Sequence, residues 1–285
     1  MKPLHILLIV LTGATAGSVC AQTNSADSTG LPGDNFSLEG ALDLFKKSES
    51  PEEFEKNLNS EENKVNNLDL NEDGVTDYVK VIDKTENNAH AFVLQAAVSE
   101  TENQDIAVIE LEKPNDDQAV VQIVGDEDIY GEQKIVEPVA QGNTSSSTVT
   151  VVNVWAWPAV RYVYGPAYRV WISPWRWTVR PVWWRPWRPL RYHAFYRYRA
   201  PYFHHYGVVH THRVVHAHRV YTPVRTTSVT VRTRNHVTVE RYRTTKAVRR
   251  QTVATPSGDK QLRTRKTTVQ GGNKKRTKTV KKKKN

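Results

Sequence analysis

Apolar positions in the first half of the chain change period once, and the change separates helices from strands. Leu38, Ala41, Leu42, Leu44 and Phe45 recur at three- and four-residue spacing, the pattern of one buried helix face. Ser50-Pro51-Glu52-Glu53 offers a capping serine, a proline at the first helical position and a carboxylate three residues after the cap. A second helix is therefore predicted over about residues 51–59. From Asp77 the period falls to two or to short apolar runs. Tyr78–Ile82, Ala89–Val98, Asp105–Leu111 and Ala119–Val124 are predicted strands, parted by polar breaks such as Lys113-Pro114-Asn115-Asp116-Asp117. Helices followed by closely connected strands predict an antiparallel α+β domain over residues 36–139, behind a flexible lead at 22–35.

Beyond a Gly/Ser/Thr linker at 140–147 the pattern changes character, and a β-rich or extended aromatic and basic region is expected. In the Trp/Arg/Tyr-rich stretch 148–206, Val149–Ile172 suits a hairpin about Gly165-Pro166. The period-three repeat Trp184-Arg185-Pro186-Trp187-Arg188-Pro189 suits an extended polyproline-type chain with Trp on one edge and Arg on another. Residues 207–245 alternate Val and Thr with His and Arg, which predicts strand. Residues 246–285 are expected to form a disordered basic tail.

Charge sharpens this division. Of 285 residues, the first 140 hold nine Lys, no Arg and 28 Asp and Glu, a net of −19. The remainder hold 31 Lys and Arg against Glu240 and Asp259, a net of +29. Opposite charge on one chain predicts self-association between acidic domain and basic extension, within or between molecules. Met1-Lys2-Pro3, the apolar run Leu4–Leu11 and Val19-Cys20-Ala21 have the order of an export signal cut after Ala21. Periplasmic or outer-membrane and cell-surface placement follows. Acylation of Cys20 is disfavoured by Val19 and Gly17 at the flanking positions where a lipoprotein signal has a small and an aliphatic residue. With Cys20 removed the mature chain has no cysteine, which excludes disulfides and thiolate sites.

Three groups of residues carry candidate chemistry. Asp69-Leu70-Asn71-Glu72-Asp73-Gly74-Val75-Thr76-Asp77 sets side-chain oxygens at alternate positions before a glycine, the donor pattern of Ca²⁺. Asp69, Asn71, Asp73 and Asp77 would give side chains and Val75 its carbonyl. Lys80 stands where an EF-hand carries its bidentate Glu. Second, the repeat Val208-Val209-His210-Thr211-His212-Arg213 and Val214-Val215-His216-Ala217-His218-Arg219 would, if extended, set His210, His212, His216 and His218 on one face. Paired imidazoles suit Zn²⁺ or Cu²⁺, although no carboxylate or Cys stands beside them in the sequence. Third, Trp175, Arg176, Trp184, Arg185, Trp187 and Arg188 are candidates for adhesion to anionic envelope polymers or the membrane surface. The competing readings are a second packed β-rich unit and a single-stranded nucleic-acid groove, the latter weakened by export. G-x-S-x-G, H-E-x-x-H and G-x-x-x-x-G-K are absent, and the reading is of a protein that is not an enzyme.

The Asp69–Asp77 loop resembles the D-x-N-x-D-G-x-x-D loops of FG-GAP, dockerin-like and thrombospondin type 3 modules, and that resemblance implies structural calcium. The segments NFSLEGALDLFKKSESPEEFEKNLNS, NNLDLNEDGVTDYVKVID, QIVGDEDIYGEQ and VNVWAWPAVRYVYGPAYRVWISPWRW with WWRPWRPL resemble a group of exported envelope proteins of Gram-negative Bacteroidota. The resemblance implies the compartment and no activity.

Overall fold

Ser37 and Ser50 start the first two helices through their side chains, the second as its Ser-Pro-Glu-Glu context predicts. The Ser37 hydroxyl accepts from the Gly40 amide at 3.0 Å and opens α1 (Leu38–Lys47). Ser50 Oγ accepts from the Glu53 amide at 3.2 Å and opens α2 (Pro51–Leu58), while Glu53 Oε2 reaches back to the Glu49 amide at 2.7 Å. Each cap is worth about 1 kcal/mol. The coordinates, a computed structural model, describe residues 28–140 and 151–253, with side chains as far as residue 248. The expected signal peptide 1–21 with Cys20, lead residues 22–27, linker residues 141–147 and tail residues 254–285 lie outside the described residues. Residues 28–35 are ordered: the Asp34 carboxylate accepts from the Thr29 and Gly30 amides at 2.7 and 3.0 Å, where a flexible lead is expected.

The described residues form an α+β fold with seven α-helices and one antiparallel sheet in the order β1-β2-β3-β4-β5-β6. β1 (Val79–Glu86) and β2 (Ala89–Ala97) meet at Glu86↔Ala89 around Asn87, whose φ of 54° suits a tight hairpin. β3 (Asn103–Asn115) and β4 (Gln118–Gly125) close at Asn115↔Gln118. The short α3 (Glu127–Tyr130) then leads into β5 (Lys134–Pro138), too brief to stand out as an apolar pattern. One sheet face, with Phe92, Leu94, Ile109, Leu111 and Ile123, packs on Leu42, Phe45, Phe54 and Leu58. The other carries Ala91, Val93, Val108, Val124 and Ile135. β2 is buried along its whole length, which explains why Ala89–Val98 reads as a continuous apolar run.

The second half of the chain joins this core. β6 (Tyr206–Val209) pairs antiparallel with β5, and the Asp83 amide and Ser173 amide bond across the outer edge of β1 to Trp171 and Val81 carbonyls at 2.8 and 3.1 Å. The β1 edge is thereby covered, and β6 replaces β5 as the far edge strand of the sheet. α4 (Pro158–Val163) occupies the centre of the expected Val149–Ile172 hairpin, with Ala159, Val160 and Val163 buried in the main core. α5 (Tyr192–Arg199) buries Phe195 and Arg199. The strand expected over 207–245 is confined to β6; α6 (Val215–Tyr221) and α7 (Val229–Val253) replace the rest. Helical spacing of Val214, Ala217 and Tyr221 beneath the alternation wins because the second sheet face supplies their partners. α7 also runs through residues 246–253, where disorder is expected. Up to Val239 the described residues form one compact unit, and those from Glu240 form a second. No helix among them is long and apolar enough to cross a membrane.

Candidate metal centre

Alternation along β3 directs Val108, Glu110 and Glu112 to the face opposite Ile109 and Leu111, so two carboxylates meet the side of the sheet that α6 covers. Glu110 faces Gln122 of β4 in register and is completely buried. Above them, residues 210–214 turn back after β6 and α6 begins. Glu112 Oε1 accepts from the His216 and Ala217 amides at 2.5 and 2.9 Å, holding the first turn of α6 in place. His218, one turn further along, reaches Glu110 Oε1 through Nδ1 at 2.7 Å. His212 arrives from the turn, its Nδ1 4.0 Å from Glu110 Oε2 and its ring centroid 4.1 Å from that of His218. One ligand atom each from Glu110, His212 and His218 falls within a 4.8 Å span.

Hydrogen bonds set the chemistry of His212. The Arg213 and Val214 amides, which can only donate, bond Gln122 Oε1 at 3.0 and 3.3 Å. Gln122 Nε2 must then be the donor to Glu110 and to His212 Nδ1, the latter at 3.2 Å. On the far side of the ring, Nε2–H donates to Gln133 Oε1 at 3.2 Å. His212 is therefore neutral, with its Nδ1 lone pair accepting from Gln122 Nε2 beside Glu110, and Gln133 stands where an outer partner fixes a ligand's tautomer.

Charge is distributed unevenly over the three residues. Burial pushes the Glu110 carboxyl up, against the hydrogen bond from His218. That same bond holds His218 above the ordinary imidazole range, whereas burial, with the nearby His218, lowers His212. A divalent ion here would displace the His218 proton and bring positive charge to a buried carboxylate. Sequence reasoning named His212 and His218 but found no carboxylate, and Glu110 supplies it. Two glutamates alternating on one face of a strand whose other face is apolar, Glu110 and Glu112, are the signal that points to it. His210 and His216 lie exposed and do not join the cluster, because the segment is a turn and a helix instead of a strand.

The Asp69–Asp77 loop is closed by its own side chains. Asp69 Oδ1 and Oδ2 accept from the Asp73 and Gly74 amides at 3.1 and 3.0 Å, Asp73 Oδ1 accepts from Val75 at 3.0 Å, and Asn71 Nδ2 donates to Asp73 Oδ2 at 2.9 Å. Gly74 sits at φ +85°. Asp77 is buried, with Oδ2 on the Leu70 amide; burial first, then Asp69 and Asp73, push its carboxyl up to about 7. The donors are hard oxygens, yet among the described residues the loop carboxylates do not converge as Glu110, His212 and His218 do.

In the repeat Trp184–Pro189 the two tryptophans turn inward. Trp184 stands edge-on to Tyr78 at 5.3 Å, and Trp187 is buried with its amide on Thr76 Oγ1 at 3.2 Å and its carbonyl on the Thr76 amide at 2.8 Å. Trp175 is half-buried. Arg176, Arg185 and Arg188 are exposed. The two edges predicted for this repeat exist, but the indole edge of Trp184 and Trp187 is used for packing, leaving the arginines to face outward. No protein family, curated protein or solved structure matches the chain.

Proposed function

We propose that the protein is an exported, non-enzymatic, metal-binding envelope protein, in which Glu110, His212 and His218 hold Zn²⁺ or Cu²⁺ between the acidic sheet and the basic segment that covers it. Convergence of these three side chains, from positions about a hundred residues apart, supports the reading most strongly. Two imidazoles and a carboxylate suit a borderline divalent ion and leave a coordination position for water. Bound there, the ion would tie α6 to β3, while Arg176, Arg185 and Arg188 remain directed toward anionic surfaces. The Asp69–Asp77 loop, whose carboxylates accept from its own amides and keep further lone pairs, is a second candidate, for structural Ca²⁺.

Isothermal titration of the full mature chain with zinc tests the assignment. One ion should bind per chain, more weakly as pH drops and His218 holds its proton. Removing outer partners typically costs about 10–100-fold in metal affinity, so His212→Ala with His218→Ala should lose at least ~100-fold. His210→Ala with His216→Ala should bind as the native chain does. Equal losses in the two double variants would reject the site.

A further inference from the structure

A cleft of about 380 Å³ opens on the opposite side of the sheet from the metal centre, between α2 and the segment around Trp171–Trp183. Its size lies within the range of small-ligand sites. Trp171, Trp175 and Trp183 contribute indole surface, and Ser50, Glu52 and Lys56 contribute polar groups at the mouth. Glu55 forms the floor. Its two carboxylate oxygens accept from Tyr78 Oη, the Val81 amide, Trp171 Nε1 and Ser173 Oγ at 2.8, 2.9, 3.1 and 2.8 Å. Four neutral donors satisfy the hydrogen-bonding capacity of this carboxylate and lock the Trp171 ring, so the floor is rigid and offers no free acceptor to an incoming ligand.

The mouth narrows the choice of ligand. Lys56 Nζ lies 5.9 Å from the Trp183 ring centroid, so the indole face already carries a cation at its edge. A cationic ligand would meet that ammonium, and an anionic one would meet Glu52 and Glu53, whose Oε2 is already bonded to the Glu49 amide. A neutral ligand with both donors and acceptors around an apolar face meets neither objection. Pyranose rings have that form: C–H bonds over one face suit an indole, and hydroxyls at the rim need acceptors such as Glu52 and donors such as Lys56 and Ser50. Trp183 is 43% exposed, which leaves indole surface open to a stacking ligand.

We propose that this cleft binds a pyranose ring of a neutral oligosaccharide, stacked on Trp183 and hydrogen-bonded by Glu52, Lys56 and Ser50. The proposal is independent of the metal centre. Tryptophan fluorescence and calorimetry on the full mature chain test it with N,N′-diacetylchitobiose, cellobiose and maltose, and with tetramethylammonium chloride and inorganic phosphate as ionic probes. At least one disaccharide should shift the emission saturably at concentrations up to ~20 mM. Trp183→Ala and Glu52→Gln should each weaken that binding about tenfold or more, while Trp155→Ala, outside the cleft, leaves it unchanged. Trp183 is exposed and Glu52→Gln is isosteric, so far-UV circular dichroism should find both variants folded. Absence of a saccharide response, undiminished binding by Trp183→Ala, or saturable binding of the ionic probes alone would each overturn the assignment.

Discussion

Asp126 shows how one carboxylate can be fixed by geometry and still be costly to ionise. Its Oδ1 accepts from the Asp128 amide at 2.9 Å and caps α3, and its Oδ2 accepts from Arg225 Nε. Burial nevertheless outweighs the guanidinium and pushes the carboxyl from the ordinary 3.8 up to about 6. Between those values the folded chain holds a proton that the unfolded chain has released, so this group's contribution to stability falls as pH rises. The fall is complete above about pH 6 and amounts to about 3 kcal/mol. Asp126→Asn keeps an oxygen for the Asp128 amide and does not titrate. Urea unfolding at a series of pH values should show the native chain losing about 3 kcal/mol relative to Asp126→Asn between pH 4 and pH 7. Parallel stability curves for the two proteins would contradict this account. At this scale the sequence is legible where chemistry is local, as in the Ser50 cap, and illegible where a residue such as Glu110 acquires its role from a segment about a hundred positions away.

α6 illustrates the same limit for an element. Its seven residues are too few to be stable alone, and its β-branched content favours a strand. Ala217 and Tyr221 pack it against the sheet, and Glu112 bonds its first turn. Alternation of Val and His is genuine, but a second, helical period lies in the same residues, and only the waiting sheet face decides between them. α7 is settled similarly: Ser228 Oγ accepts from the Val231 amide at 3.2 Å, and Glu102 Oε2 accepts from Thr230 at 3.1 Å, so a carboxylate from the β2–β3 connection stands at its start. The hairpin strands β1–β4, by contrast, depend on near neighbours and were readable to within a few residues. If Glu112 holds α6, Glu112→Ala should cost about 1–2 kcal/mol, the range of a lost helix cap. It should also lower amide-exchange protection in α6 and weaken zinc binding through His218, with β2 and β3 protected as before. Unchanged exchange in α6 would show that apolar packing alone positions it.

For the whole molecule, composition suggests a boundary near residue 140 that the core does not respect. Val154, Val160, Val163, Tyr206 and Val231, all from the second half, are buried in the same cluster as Phe45, Phe92 and Ile109. Ion pairs also cross the division, with Arg213 3.3 Å from Glu137 and Arg225 3.1 Å from Asp128. The unequal charge of the two halves is thus partly neutralised within one fold. A run of acidic residues followed by a run of basic ones discloses that attraction, yet it cannot disclose which buried positions each half leaves unfilled. Burying five such side chains contributes ~1.5–3 kcal/mol each, comparable with the entire net stability of a domain, ~5–15 kcal/mol. Residues 28–140 expressed alone should therefore lack a cooperative unfolding transition at the midpoint of the full chain. They should bind a hydrophobic dye and self-associate through the uncovered edge of β5, which β6 occupies in the intact protein. Calorimetry and size-exclusion chromatography on the fragment decide the matter: a monomer unfolding cooperatively at an unchanged midpoint would mean that the acidic half carries a sufficient core of its own and that the basic half is an attachment.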